Sequence, residues 1–222
     1  MTTIAMPTPH RDRGIEGRQA KWYAKNTGEM MKEFTELAHR VSGEIQQGSS
    51  VLEVAPGPGY FCIELAKLGS HTITGLDISR TMVEIATQKA AEAGVKVDFK
   101  QGSASSLPFP KDSFDFLLCR AAFKNFAQPV LALQEMCRVL KPGRKAVIID
   151  LSRNASPANA SRYVDGLGLS RISRMMTKLV FRYFLIKSAY TREQFQQMLA
   201  QANFSRVHIL EEDLGFEISM TK

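Results

Sequence analysis

Residues 51–60 read VLEVAPGPGY, a short β-branched run, a Gly/Pro turn and the opening of a helical pattern. No feature of the chain constrains its fold more. A strand that turns on Gly57 and Gly59 straight into a helix lets a ligand approach the backbone. The helix N-terminus then offers it free N–H groups. The turn is not a phosphate-binding P-loop, because no GlyLysSer/Thr follows. It also departs from GxGxxG: Gly57 and Gly59 are present, but Cys62 takes the last glycine's position, and Ala55 stands two residues before Gly57 where a further glycine would extend the turn. Taken alone, such a turn is equally compatible with a tight strand–helix connection that holds no ligand.

The pattern around it repeats. HTITGLD (71–77) reads as a second strand, and Ser79 caps a helix that runs to Ala93 and stops at Gly94. VKVDFK (95–100) alternates like a strand, and FDFLLC (114–119) suits a strand buried on both faces. Pro129 opens a helix to Leu140 that LysProGly (141–143) ends, and KAVIIDL (145–151) is a further buried strand. Residues 156–187 look helical, Thr191 caps a helix to about Ala202, and 206–210 and 216–220 read as a closing antiparallel hairpin. Before the first strand, 1–20 reads as a loose polar arm, and apolar positions from Met30 to Ile45 predict one helix over 26–47. Strands alternating with helices predict an α/β, Rossmann-like doubly wound sheet. It has seven strands, mostly parallel with an antiparallel last strand, and a helical insert after the fifth.

Asp77 ends the second strand, 18 residues beyond Gly59. An acid at that place accepts from both hydroxyls of a ribose, although it equally caps the next helix. Gly102–Ser103–Ala104 follows the third strand, LeuProPhe (107–109) and SerPheAsp (113–115) lead into the fourth, and LeuLysProGly (140–143) precedes the fifth. In this order the motifs resemble the class I S-adenosylmethionine-dependent methyltransferases, most of all the ubiquinone/menaquinone-biosynthesis type and its small-molecule relatives. The likeness is closest from about residue 21 to 151. It implies a cofactor, S-adenosyl-L-methionine, leaving as S-adenosyl-L-homocysteine. It also implies an N-terminal arm (1–25), a methyltransferase domain (26–222) and a lid-like insert (155–190).

The resemblance also assigns residues. Glu53 would orient the methionine end of the cofactor, over the backbone of Ala55, Gly57 and Gly59. Asp77 would hold the ribose, with Ile78, Gly102, Ser103 and Ala104 around the adenine. The carbonyl of Cys119 or Arg120 would accept from the cofactor's amino group. Tyr23, in KWYAKN, resembles a tyrosine that closes over the cofactor; with Trp22 it is equally an aromatic staple for the first helix. Lys124–Asn125 resembles the Arg-Asn pair of the quinone-type enzymes. Phe123, Lys124, Asn125 and Arg153 would border the acceptor pocket. A sulfonium-activated methyl needs mainly in-line positioning and desolvation. Where a proton must move, Asp150 at the end of the fifth strand is the candidate acid/base.

Charge narrows the acceptor. The 222 residues carry a formal +7, from 29 basic and 22 acidic side chains. Residues 29–150 are neutral, whereas 1–28 have five basic against two acidic residues, and 151–190 seven basic against Asp165 alone. A neutral centre argues against a general nucleic-acid binder. The exocyclic-amine motif is absent after the fourth strand, where Cys119–Arg120–Ala121–Ala122 stands. Scattered Cys62, Cys119 and Cys137 give no metal spacing, and they fit reduced thiols in the cytoplasm. The N-terminus lacks the apolar core of a secretory signal. In the insert, Arg171, Arg174, Lys178 and Arg182 fall within roughly 80° of a helix, beside Met175, Met176 and Leu179. That helix is either a solvated stripe on a packed element or a contact with a peripheral membrane surface or acidic substrate. The leading expectation is direct in-line methyl transfer to a small molecule. The alternatives are an RNA methyltransferase using its basic flanks, and a non-catalytic cofactor-binding protein. Oligomeric state is not legible.

Overall fold

The structure, a computed structural model, describes residues 14–222 apart from Ser70, 167–170 and 181–184. Two helices, α1 (Gly17–Thr27) and α2 (Met31–Glu44), precede the sheet. Then β1 (Ser50–Val54), α3 (Tyr60–Lys67), β2 (Thr72–Asp77), α4 (Arg80–Glu92), β3 (Asp98–Gln101) and β4 (Phe114–Arg120) alternate. They are followed by α5 (Pro129–Val139), β5 (Leu140–Leu151) and the insert helices α6 (Pro157–Gly166), α7 (Arg171–Val180) and α8 (Ile186–Ser188), the last a single turn. The chain closes with α9 (Arg192–Leu199), β6 (Arg206–Glu211) and β7 (Gly215–Thr221).

The seven strands lie in the order β3-β2-β1-β4-β5-β7-β6. β1 to β5 are parallel, and β7 enters antiparallel between β5 and β6. Strand parity explains the two cores. Leu52, Val54, Leu117 and Cys119 face one side, where Leu133 and Met136 of α5 and Phe195 and Met198 of α9 cover them. Val51, Phe116 and Leu118 face the other, under Phe34, Leu37 and Val41 of α2 and Phe61 and Leu65 of α3. Strands covered on both faces read as continuous apolar runs, which is how they stood in the sequence.

Three expectations need correction. The segment read as a loose arm becomes helical at Gly17, so the boundary drawn at residues 25 and 26 falls inside α1. The single helix expected over 26–47 is broken by a 3-10 turn at Gly28–Met30. The start of α1 is tied down from outside the segment. Both carboxylate oxygens of Glu16 accept N–H groups of the α4 N-terminus, Arg80 at 3.0 Å and Thr81 at 3.1 Å, and so cap another helix. Lastly, LysProGly does not stand between helix and strand: β5 already begins at Leu140, paired with Phe114, and bulges before Lys145 meets Phe116. In the basic stripe, Arg182 lies outside the described residues.

Candidate cofactor-binding site

β1 lies between β2 and β4, where the connections start to run the other way across the sheet. At such a point the loops beyond the strand ends diverge and leave a crevice. A cavity fills it. β1 and its turn contribute Glu53, Ala55 and Gly57; β2 contributes Asp77 and Ile78; the segment after β3 contributes Gly102, Ser103 and Ala104. Arg120 and Asn125 come from the end of β4 and the 3-10 turn after it, and α1 and α2 cover the opening with Tyr23, Thr27 and Phe34.

The turn is held in an unusual backbone. Ala55 has φ 58° and Ala121, opposite it beyond β4, has φ 56°. Non-glycine residues adopt the left-handed region at a cost, and such residues concentrate where a site demands a particular backbone. Gly57 (φ 55°) and Gly59 (φ 77°) continue the turn. Gly59 answers to packing as well: a Cβ there would stand 2.6 Å from the Phe99 ring.

Two buried carboxyls face this cavity. Glu53 is 3% exposed, and burial pushes it up to about 7; the Cys62 thiol, donating to Oε2 at 3.0 Å, and the Arg120 charge work against that rise. Asp77 is also raised by burial, although its oxygens accept the N–H of Ser79 at 2.8 Å and of Gly57 at 2.9 Å. Arg120 closes the far wall. Its Nη2 meets Glu33 Oε2 at 2.5 Å and its guanidinium lies 4.5 Å from the Phe34 ring centre. Tyr163 of α6 donates to the other Glu33 oxygen at 3.3 Å, and burial, with Glu33 beside it, pushes the phenol up to about 12. β4, α2 and the insert thus meet at one carboxylate.

Of the residues expected at the site, Tyr23, Glu53, Ala55, Gly57, Asp77, Ile78, Gly102, Ser103, Ala104, Arg120 and Asn125 line this one cavity. The other side chains do not line it. Gly59 packs its backbone against Phe99, and Cys119 turns its side chain into the core, the expected contact being with its backbone carbonyl alone. Phe123 stacks on Phe195, ring centres 5.3 Å apart, in the core. Lys124 and Asp150 are spent on each other: Nζ meets Oδ1 at 2.8 Å, the Lys124 N–H meets Oδ2 at 2.9 Å, and both side chains are almost wholly buried. The pair ties the turn after β4 to the end of β5, behind the cavity. Arg153 is exposed and donates to the Lys187 carbonyl at 2.8 Å. Sequence reasoning missed Thr27, Phe34, Phe126 and Glu33. Phe34 was visible only as a core position of an amphipathic helix, and Glu33 as one more surface acid.

A buried acid near 7 beside a raised aspartate suits a ligand that brings a cation to one and hydroxyls to the other. Known proteins resemble the chain in sequence and in fold. A family model described as a methyltransferase domain matches residues 52–148. The ubiquinone/menaquinone biosynthesis C-methyltransferase UbiE of Pseudomonas fluorescens is 30% identical over 199 residues, 82% of this chain and 74% of that protein. The chain belongs to this family of S-adenosylmethionine-dependent methyltransferases. The demethylmenaquinone methyltransferase of Deinococcus radiodurans is 40% identical over 107 residues, 48% of this chain. There the match spans less than half of the relative, 44% of its length. A solved structure from Methanococcus maripaludis, titled as an S-adenosyl-L-methionine-dependent methyltransferase, shares the fold with a TM-score of 0.78. It is 21% identical, and 96% of each chain is covered.

Proposed function

We propose that this protein transfers a methyl group from S-adenosylmethionine to a small hydroxy-aromatic acceptor of the quinol kind. The observation that carries the reading is the convergence of Glu53, Asp77 and the left-handed turn at Ala55 on one cavity roofed by aromatic side chains. Glu53 takes the cofactor's ammonium, which explains a carboxyl held buried without a cation of its own. Asp77 takes the ribose hydroxyls, and Ile78, Ser103 and Ala104 border the adenine. Family members commonly carry an aspartate at the place of Ser103; the hydroxyl here pairs without charge.

When bound, the cofactor supplies a sulfonium-activated methyl group. The chain supplies position, desolvation and charge. Tyr23, Thr27 and Phe34 exclude water from above, and Arg120 provides a cation at the wall beside Asn125. An acceptor hydroxyl that has lost its proton is stabilised there. An acceptor ring carbon would take the methyl, the C–S electron pair staying on sulfur, and would release its proton to solvent; the chain's part would be to hold the two in line beside Arg120 and Asn125. Asp150, held by Lys124 behind the cavity, has a positioning role: it fixes the turn that presents Asn125. The names of the relatives support a carbon acceptor, and the apolar roof supports an aromatic one.

A methyl-transfer screen over quinols, phenols, thiols, amines and RNA, read as S-adenosylhomocysteine formed, tests this. Turnover with quinols or phenols is expected. Turnover with RNA alone overturns the acceptor, and absence of cofactor binding by calorimetry overturns the whole reading.

A further inference from the structure

Helix α7 exposes several apolar side chains while it holds two of its cations against a neighbouring helix. Its basic side chains Arg174 and Lys178 turn toward Asp165 of α6, at 3.8 and 2.7 Å. Three of its apolar side chains are exposed: Met175 at 61%, Met176 at 59% and Leu179 at 49%. These three lie within an arc of about 100°. Apolar surface of this kind, grouped rather than scattered, marks a contact.

A second helix repeats the chemistry. On α1, Arg18, Lys21, Trp22 and Lys25 are all exposed and share one stripe, within about 100°. Trp22 is the largest exposed apolar side chain of the described residues, at 69%. Neither helix contains an acidic residue. The two are linked around the cavity, since α1 lends it Tyr23 and Thr27 while Tyr163 of α6, on which α7 packs, meets Glu33 and Met30.

We infer that α1 and α7 together dock the protein on an anionic lipid surface, with Trp22, Met175, Met176 and Leu179 entering the headgroup–acyl boundary. Charge complementarity selects this occupant. α1 offers Arg18, Lys21 and Lys25 to anionic headgroups and α7 adds the exposed Arg171, its Arg174 and Lys178 being held by Asp165, while an aromatic or an apolar stripe beside them seeks the interface. A nucleic acid would use the basic residues and leave Met175, Met176 and Leu179 in water. A second copy of the chain would bring like charge against like. No described helix is long and apolar enough to cross a membrane. The docking does not depend on the methyl-transfer reading and fails separately from it.

Trp22 is the single tryptophan of the chain, so its fluorescence reports on α1 alone. The full chain is mixed with vesicles of phosphatidylglycerol and phosphatidylcholine, or of phosphatidylcholine alone. We expect sedimentation with the anionic vesicles only, a blue shift of Trp22 emission, quenching by brominated acyl chains, and weakening with salt. Met175→Ser/Met176→Ser/Leu179→Ser should lower vesicle affinity about tenfold or more while cofactor binding and thermal unfolding stay unchanged. Four results overturn the inference. They are no binding to anionic vesicles, binding without a Trp22 response, binding unaffected by the triple substitution, and a Trp22 response to RNA or to self-association in place of vesicles.

Discussion

The Cys62 thiol donates to Oε2 of Glu53 at 3.0 Å, both groups buried against the cavity. Cys62 stands where a dinucleotide fingerprint has its last glycine, so the same position that breaks the motif adjusts the acid at its centre. Burial raises Glu53 to about 7, and the thiol's hydrogen bond holds it from going higher. Cofactor ammonium favours ionised Glu53, so below about pH 7 binding releases a proton. Cofactor affinity should therefore rise with pH and level off above 7, as measured by calorimetry. Cys62→Ala removes a donor to the carboxylate and should move that rise to higher pH; Cys62→Ser should restore it, and Glu53→Gln should flatten it.

The same shift sets a stability trend for the ligand-free protein. Glu53's folded value lies above the ordinary 4.5. The fold binds that proton more tightly than the unfolded chain does, so this contribution favours folding least above pH 7. Stability should fall by roughly 3 kcal/mol between pH 4.5 and 7 from this group alone. The difference between native protein and Glu53→Gln in urea unfolding across that range isolates it.

Lys124 and Asp150 should be missed as a pair more than as individuals. Either Lys124→Ala or Asp150→Ala leaves a buried charge without its partner, and should cost about 3–5 kcal/mol. The double change Lys124→Met/Asp150→Leu should recover much of that loss. Chemical denaturation of the three variants checks this. A fully stable Asp150→Ala protein lacking turnover would instead return Asp150 to a proton-transfer role.

Ala55 tolerates its left-handed backbone because its side chain is a single methyl group. A β-branched residue does not, so Ala55→Val should destabilise by about 1–3 kcal/mol and weaken cofactor binding. Ala55→Gly should leave the melting temperature unchanged or slightly higher. Thermal unfolding with and without cofactor separates the two.

Glu33 joins Arg120 to Tyr163. Glu33→Gln removes the charge but keeps the shape, and should weaken cofactor binding about fivefold, the equivalent of roughly one hydrogen bond. Tyr163→Phe should produce a smaller effect in the same direction. Titration by calorimetry at pH 8, where Glu53 is ionised, reads both.

What the sequence disclosed follows physical range. The sheet was legible because strands buried on both faces leave long apolar runs, and the turn at 55–59 because Gly and Pro announce themselves locally. Asp77 came from its place at the end of a strand, and Ser103 and Arg120 from the family resemblance alone. The helix at Gly17 was not legible, since its ordering comes from Glu16 reaching residues 80 and 81, far along the chain. Lys124 looked like a site residue because Lys124–Asn125 resembles the family's Arg-Asn pair, and Asp150 because it ends a strand; only the packing shows that they are turned toward each other. The outward face of α7 was equally hidden: periodicity reveals that a helix has two faces, and says nothing of which one points to water.

Ser79 gives its N–H to Asp77 and its hydroxyl to the carbonyl of Ile15, just before α1, while accepting from Met82. The floor of the cavity and the cover over it therefore hang from one residue. One side-chain oxygen is thus shared between the entry to α1 and the cap of α4, two residues along the chain from the acid on the cavity floor.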